Sequence, residues 1–211
     1  MNNKLGIIGG GRFGGLVADL ADDTNQFSQI VFFDDILPVD GNKIIGKFCD
    51  IDRFYQQGTI THLAIAIGYK HFTLREQMYE KFRGKIPFAT CIHPTAFVSK
   101  SAKIGEGCLI YSMVNIEMHA SIANNVTIFN QSSISHEVSV GDHSFFSVGV
   151  SMGGGVQFGK RTFVGVNASI ANDIEIGDDS IVCGGTFLTK SIGNNSCAIG
   201  NPYRLINKVY L

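Results

Sequence analysis

Between Ser133 and Phe158 the chain reads SISHEVSVGDHSFFSVGVSMGGGVQF, and every sixth residue is a large apolar one: Ile134, Val140, Phe146, Met152 and Phe158. The interval holds outward without a slip. Val98, Ile104, Ile110, Ile116, Ile122 and Ile128 precede the stretch, and Val164, Ile170, Ile176, Val182 and Leu188 follow it. Two residues before each stands a second column of mostly small side chains, among them Ala96, Ala102, Cys108, Ala120, Ser132, Ser144, Thr162 and Ala168. Glycine often follows the large residue, as at Gly105, Gly141, Gly153, Gly159, Gly165 and Gly177. A fixed period of this kind, kept from Ala96 to Ser191, marks a repeat that stacks short parallel strands into a β-helix.

Three six-residue units make one triangular coil, and coils stack about 4.8 Å apart. The large column fills the interior and the small column fits beside it. The repeat therefore predicts a little over five coils, with the period ending at Ile192. Gly200-Asn201-Pro202 then turns the chain and caps the stack, and Leu205 to Leu211 resumes an alternating apolar pattern.

Residues eighteen apart lie one above another. One such column reads Met118, His136, Gly154, Asn172, Lys190. A neutral imidazole is a suitable general base near neutral pH. A glycine amide one coil away could stabilise a developing oxyanion. Lys190, and Arg204 near the end of that column, could meet a phosphate. His93, before Pro94, reads as structural, and His62 and His71 as surface residues. His119 and His143 fall at turns of the repeat, and His143 could approach the same groove. No two histidines have metal-ligand spacing, so no metal site is expected.

Residues 1–92 follow another pattern. Leu5 to Ile8 reads as a buried strand leading into Gly9-Gly10-Gly11-Arg12-Phe13-Gly14. Phe13 to Asp22 has helical spacing, with Leu16, Val17 and Leu20 on one side. A second strand, Ile30 to Phe33, ends in Asp34 and Asp35. Strand, glycine turn, helix, strand and acid form the order of a Rossmann-type fingerprint. There Gly9, Gly11 and Gly14 let backbone approach a diphosphate at the helix N-terminus, beside Arg12, and the acid accepts from ribose or base. His62 to Gly68 reads as a third strand, Phe72 to Phe82 as a helix and Ile86 to Ile92 as a short last strand. Only one mononucleotide half fits in this length. That argues against NAD and for a nucleotide diphosphate linked to something else.

Composition narrows the class. The chain has 17 basic and 18 acidic residues, for a net charge of −1, and no basic tract suited to nucleic acid. No apolar run approaches a membrane span, and Met1 to Ile8 lacks the features of a signal peptide. Five cysteines without C-x-x-C spacing read as reduced thiols, consistent with a cytoplasmic protein.

Taken together, the glycine loop, Val31-Phe32-Phe33-Asp34-Asp35, Ala66-Ile67-Gly68, Ile92-His93-Pro94, His136-Glu137 and Gly200-Asn201-Pro202 resemble the bacterial nucleotide-sugar acetyltransferases related to the sialic acid acetyltransferases. The resemblance covers essentially the whole chain. It implies an α/β Rossmann-like domain at 1–92 holding the nucleotide sugar, followed at 93–211 by a left-handed parallel β-helix that trimerises. Acetyl-CoA would lie between subunits. His136 takes the position of the family's catalytic histidine, Glu137 that of its supporting carboxylate and Gly154 that of its thioester-facing amide. The nucleotide-sugar contacts fall on Gly9, Gly11, Arg12, Gly14, Asp34, Asp35 and Gly68. Asn172, Lys190 and Arg204 remain for acetyl-CoA. Many relatives carry a histidine nine residues after the catalytic one, where this chain has Phe145.

The expected reaction is acetylation of the amino group of a UDP- or dTDP-linked 4-amino-4,6-dideoxyhexose, a step toward a surface polysaccharide or glycan. O-acetylation of sialic acid or a related sugar is the alternative. A non-catalytic scaffold that binds nucleotide sugar is the third reading. Because neighbours on a strand face opposite ways, Glu137 can orient His136 only if the backbone turns there.

Overall fold

The computed structural model describes residues 3–207. It divides into two compact units, Met1–His93 and Pro94–Leu211.

In the first unit, β1 (Lys4–Ile8), β2 (Gln29–Phe33), β3 (Ile44–Gly46) and β4 (His62–Ile65) form one parallel sheet in the order β3-β2-β1-β4. Ile7 sits between Phe32 on one side and Ala64 on the other. Strands buried on both faces read as continuous apolar runs, which is why Leu5–Ile8, Val31–Phe33 and Leu63–Ile65 are so legible. The helices are α1 (Arg12–Asp23), α2 (Ile51–Gln56) and α3 (Phe72–Phe82). α1 buries Gly14, Val17, Leu20 and Ala21. Leu16, expected on that face, points outward and is 47% exposed, because the buried stripe continues to Ala21 instead. Tyr79 and Phe82 of α3 join Phe33, Leu63, Ile65, Ile86 and Phe88 in the core. The strand expected over His62–Gly68 ends at Ile65, although Ala66 still donates its amide to Ile8. Ile86–Ile92 is not one strand: Phe88 makes a single bridge to Leu63, and only Cys91–Ile92 is extended.

In the second unit, two-residue strands stack in parallel on three faces. Ser139–Val140 lies between Ser121–Ile122 and Gln157–Phe158, each offset by eighteen residues. Ser133–Ile134 and Phe145–Phe146 are stacked likewise on the other two faces. The second residue of each strand points inward, and from Ile110 to Leu188 all these residues are buried.

The corners explain the phase of the repeat. A residue with positive φ recurs at every sixth position from Gly107 to Gly185, including Met113, His119, Asn125, Gln131, Glu137, His143, Arg161, Asn167, Asp173 and Asp179. Each such residue sits in a corner, where the chain turns from one face to the next, two residues before the following strand. Glycine after the large residue has a different cause. A Cβ on Gly141 would meet the backbone of Gly159 one coil on, at 2.6 Å.

The stack does not end at Ile192. Eighteen-residue pairing persists to Ile170 with Leu188, but Ile176 bridges Ile192 and Ile181 pairs with Cys197, each sixteen residues apart. The final coil is two residues shorter, so a search for a six-residue period loses it. Counted from Leu109–Ile110, that face thus reaches a sixth course at Cys197–Ile199. Arg204–Leu205 then returns antiparallel onto that course, after a cis peptide at Asn201–Pro202. The expected alternation from Leu205 onward runs beyond residue 207, outside the described residues.

Candidate active site

His136 and Glu137 occupy one corner of the stack. Glu137 has φ +61°, so the chain turns there and the two neighbouring side chains come to the same side. Glu137 Oε2 lies 3.2 Å from His136 Nδ1. A carboxylate only accepts, so that bond puts the proton on Nδ1 and leaves Nε2 as the base. The imidazole side chain is 52% exposed, open to a reactant. Its backbone amide donates to Glu117 Oε2 at 3.0 Å.

The column through His136 forms as the eighteen-residue spacing requires. Glu137 donates its amide to Met118, Gly155 donates to His136, and Asp173 donates to Gly154. A Cβ on Gly154 would fall 2.5 Å from Nε2 of His136, so the ring lies where any larger residue would put its side chain. Gly153 and Gly155 give their amides to Ile170 and His136, whereas among the described residues no acceptor takes the Gly154 amide.

Asn172 is exposed in the next coil, with its Oδ1 packed against Gly153. Lys190 stands in the corner that the shortened coil compresses. It lines a groove of about 320 Å³ with Phe187, Thr189, Asn201, Pro202 and Tyr203. Arg204 is exposed on the terminal strand and is not among the residues lining that groove. Phe145 is buried between the rings of Phe129 and Phe163, with centroids 5.4 and 6.1 Å away. His143 is buried too, with Nδ1 3.0 Å from the Asn125 side-chain amide, and so does not open onto a groove. His93 contacts Asp23 at 3.3 Å. His62 is half-buried rather than a surface residue, against Thr61 and the Phe27 ring, and burial lowers its pKa.

The first unit holds a cavity of about 430 Å³ at the strand ends. It is lined by Gly9, Gly11, Asp34, Asp35, Ile36, Phe48, Ala66, Ile67, Gly68, His71 and Leu74. The glycines differ in their reasons. Gly9 has φ +109° and would drive a Cβ into the Ala66 carbonyl, while a Cβ on Gly14 would strike Gly9. Those two serve the fold. Gly11 and Gly68 meet nothing within 4 Å, so their lack of a side chain keeps the cavity open. α1 begins at Gly11 with no side-chain cap and no acid in its first turn, and Arg12 is exposed beside it. An uncapped helix N-terminus without an acid favours an anion.

Asp34 has a role the fingerprint did not suggest. Its carboxylate accepts the amides of Gly10 at 2.7 Å and of Ile36 and Leu37, both at 2.8 Å. Burial alone would raise its pKa. The amides of Leu37, Gly10 and Ile36 and the charge of Lys47 outweigh that and hold it below the usual carboxylate value. Asp34 therefore ties the glycine turn to the end of β2. Asp35 lines the cavity and accepts the Phe48 amide through Oδ1 at 2.8 Å, and among the described residues no donor reaches its Oδ2.

Ile36, Phe48, His71 and Leu74 line this cavity without any sequence motif announcing them. An isoleucine directly after the two acids, Ile36, was the available signal, and it is 94% exposed in the structure. Among the described residues no three His, Cys, Asp or Glu side chains are placed to hold a metal, and no helix is long and apolar enough to cross a membrane.

Residues 4–82 match the family model described as the PglD N-terminal domain. The whole chain superposes on PerB from Caulobacter crescentus in complex with CoA and GDP-perosamine, at TM-score 0.90 and 27% identity, covering 97% of this chain and 98% of that one. A mutant of the perosamine N-acetyltransferase from the same organism, bound to the same two ligands, gives TM-score 0.90 at 26% identity over 98% of both chains. The chain carries a PglD-type N-terminal domain and, over nearly its whole length, has the fold of these acetyltransferases. The acetyltransferase domain of PglB from Neisseria gonorrhoeae, in complex with acetyl coenzyme A, shares the fold at TM-score 0.89 and 24% identity, over 98% of this chain and 100% of that one. The chain thus has the architecture expected from its repeat and its glycine fingerprint, in the order in which they occur.

Proposed function

We propose that the protein transfers the acetyl group of acetyl-CoA to the amino group of a nucleotide-linked amino sugar, of the 4-amino-4,6-dideoxyhexose type. The observation that carries this reading is the His136–Glu137 pair set against Gly154 on the coil stack. The amine nitrogen attacks the thioester carbonyl while Nε2 of His136 takes its proton. Glu137 holds the Nδ1–H tautomer and offsets the charge of the imidazolium. The Gly154 amide donates to the oxyanion of the tetrahedral intermediate. Collapse breaks the carbon–sulfur bond, and the imidazolium proton goes to the leaving thiolate. The products are an amide and free CoA.

The glycine turn takes the diphosphate, with Gly11, Arg12 and the α1 N-terminus as its donors. Gly9 and Gly14 shape the turn, Asp34 clamps it, and Asp35 and Gly68 border the base or ribose. Asn172, Lys190 and Arg204 serve the acetyl-CoA side. PerB binds GDP-perosamine, so GDP joins UDP and dTDP among the bases to test. A homotrimer with active sites between subunits is part of the proposal. The exposed apolar side chains Met113, Val166 and Phe187 on the coil unit support it as surface available to a partner copy. A reaction that draws on acetyl-CoA also favours a cytoplasmic setting.

The test is thiol release from acetyl-CoA with a panel of UDP-, dTDP- and GDP-amino sugars, with mass detection of the product. No turnover across the panel, or a full rate in His136→Ala, rejects the reading. Gly11→Val separates it from O-acetylation of a free sugar. The substitution should leave folding intact and raise KM for a nucleotide sugar, whereas a free sugar has no diphosphate to lose.

A further inference from the structure

Below His136, on the side away from Gly154, lies a second cavity, of about 370 Å³, lined by Phe97, Ser99, Glu117, Met118 and His136. Its one carboxylate is Glu117. One oxygen of that group accepts the His136 amide at 3.0 Å, and the other receives a long 3.4 Å contact from the Asn115 side chain. Among the described residues no cation pairs with Glu117. The remaining walls include two apolar side chains that are unusually open, Phe97 at 61% and Met118 at 57% exposure.

A carboxylate fixed by two neutral donors still carries a full negative charge and has unused lone pairs. Set among apolar walls, it favours a group that combines a cation with hydrocarbon. A protonated amine on a deoxy sugar is such a group, and a hydroxyl is not. We propose that Glu117 is the specificity determinant that selects an ammonium acceptor at this site and places it beside the base. This rests on the reading of the protein as an amino-sugar acetyltransferase and names what makes it choose nitrogen over oxygen. The ammonium binds against Glu117 and releases one proton to solvent water through the open cavity, and the neutral amine then attacks. His136, whose backbone Glu117 already holds, receives the proton of the attack.

Glu117→Gln keeps an oxygen that can accept the His136 amide and removes only the charge. The experiment measures binding by calorimetry and turnover by thiol release, for the nucleotide amino sugar and for the same nucleotide sugar with hydroxyl in place of amine. Loss of one charge-assisted hydrogen bond should weaken amino-sugar binding and raise its KM roughly tenfold. Binding of the hydroxyl analogue, and the KM for acetyl-CoA, should stay within about twofold. Unchanged amino-sugar binding in Glu117→Gln overturns the proposal and leaves the acetyltransferase reading standing. Equal loss for both ligands also overturns it, because a merely structural role would do that. A wild-type protein that neither binds nor acetylates any amino sugar of the panel overturns both.

Discussion

Replacing Gly154 by alanine would place a methyl carbon 2.5 Å from Nε2 and 2.9 Å from Nδ1 of His136. Comfortable contact needs about 3.5 Å, so the ring must retreat by about 1 Å. Retreat is easy, because half of the imidazole already faces solvent. Gly154 itself is not among the positive-φ glycines, unlike Gly155 at +71°, so alanine fits its backbone. The stability change should therefore stay within about 0.5 kcal/mol, as for a surface substitution. The chemistry should suffer far more, since misplacing a catalytic group by about 1 Å can cost on the order of 100-fold in rate. Gly155→Ala is the control. It forces an L residue into left-handed backbone against Asp173 and should cost about 1–2 kcal/mol of stability. The assay is kcat/KM by thiol release beside thermal unfolding of both variants. A Gly154→Ala protein with unchanged Tm and wild-type kcat/KM would falsify the placement of the base against this glycine.

Other outcomes follow from the same geometry. Glu137→Gln should lower kcat by roughly tenfold or more while the KM values hold, because the imidazolium loses its counter-charge; an unchanged rate would deny the pair its role. Asp34→Ala should destabilise the first unit by about 1–3 kcal/mol, as three amides lose their acceptor; denaturant titration would show it, and a neutral result would mean water replaces the carboxylate. The folded pKa of Asp34 lies below its unfolded value, so its stabilisation is complete above the ordinary carboxylate range and drains as pH falls through the lowered value. Asp34→Asn should therefore flatten the acid limb of a stability–pH curve, and an identical limb in both proteins would count against the clamp. Phe145→His should lower Tm through a cost of about 1–3 kcal/mol, since a polar ring would be buried between Phe129 and Phe163.

The repeat was legible because its cause is local and recurrent: each strand has one inward residue, and a missing or polar one would show at once. The column through His136 followed from arithmetic on that period. The shortened last coil was not legible, since the pairing of Ile181 with Cys197 keeps the fold while breaking the count. In the first unit, Leu5–Ile8 and the glycine turn announced themselves. β3, at Ile44–Gly46, did not, because three residues carry no period. The clamp made by Asp34 was hidden for another reason: an acid after a second strand looks the same whether it binds ribose or backbone. Glu117 lies nineteen residues before His136, and only the stacked coils bring its carboxylate to that amide.

The sixteen-residue last coil also bears on how the molecule avoids others of its kind. A solenoid whose courses were all alike would end in an open strand edge identical to the edges inside it. A second molecule could continue such a stack, and chains could join end to end into fibres. Here the topmost course is out of step with those below, and Arg204–Leu205 runs antiparallel across it. An incoming parallel strand finds that hydrogen-bonding edge already taken. On that face the antiparallel strand occupies the end of the stack, so a further parallel course cannot simply continue the sheet there.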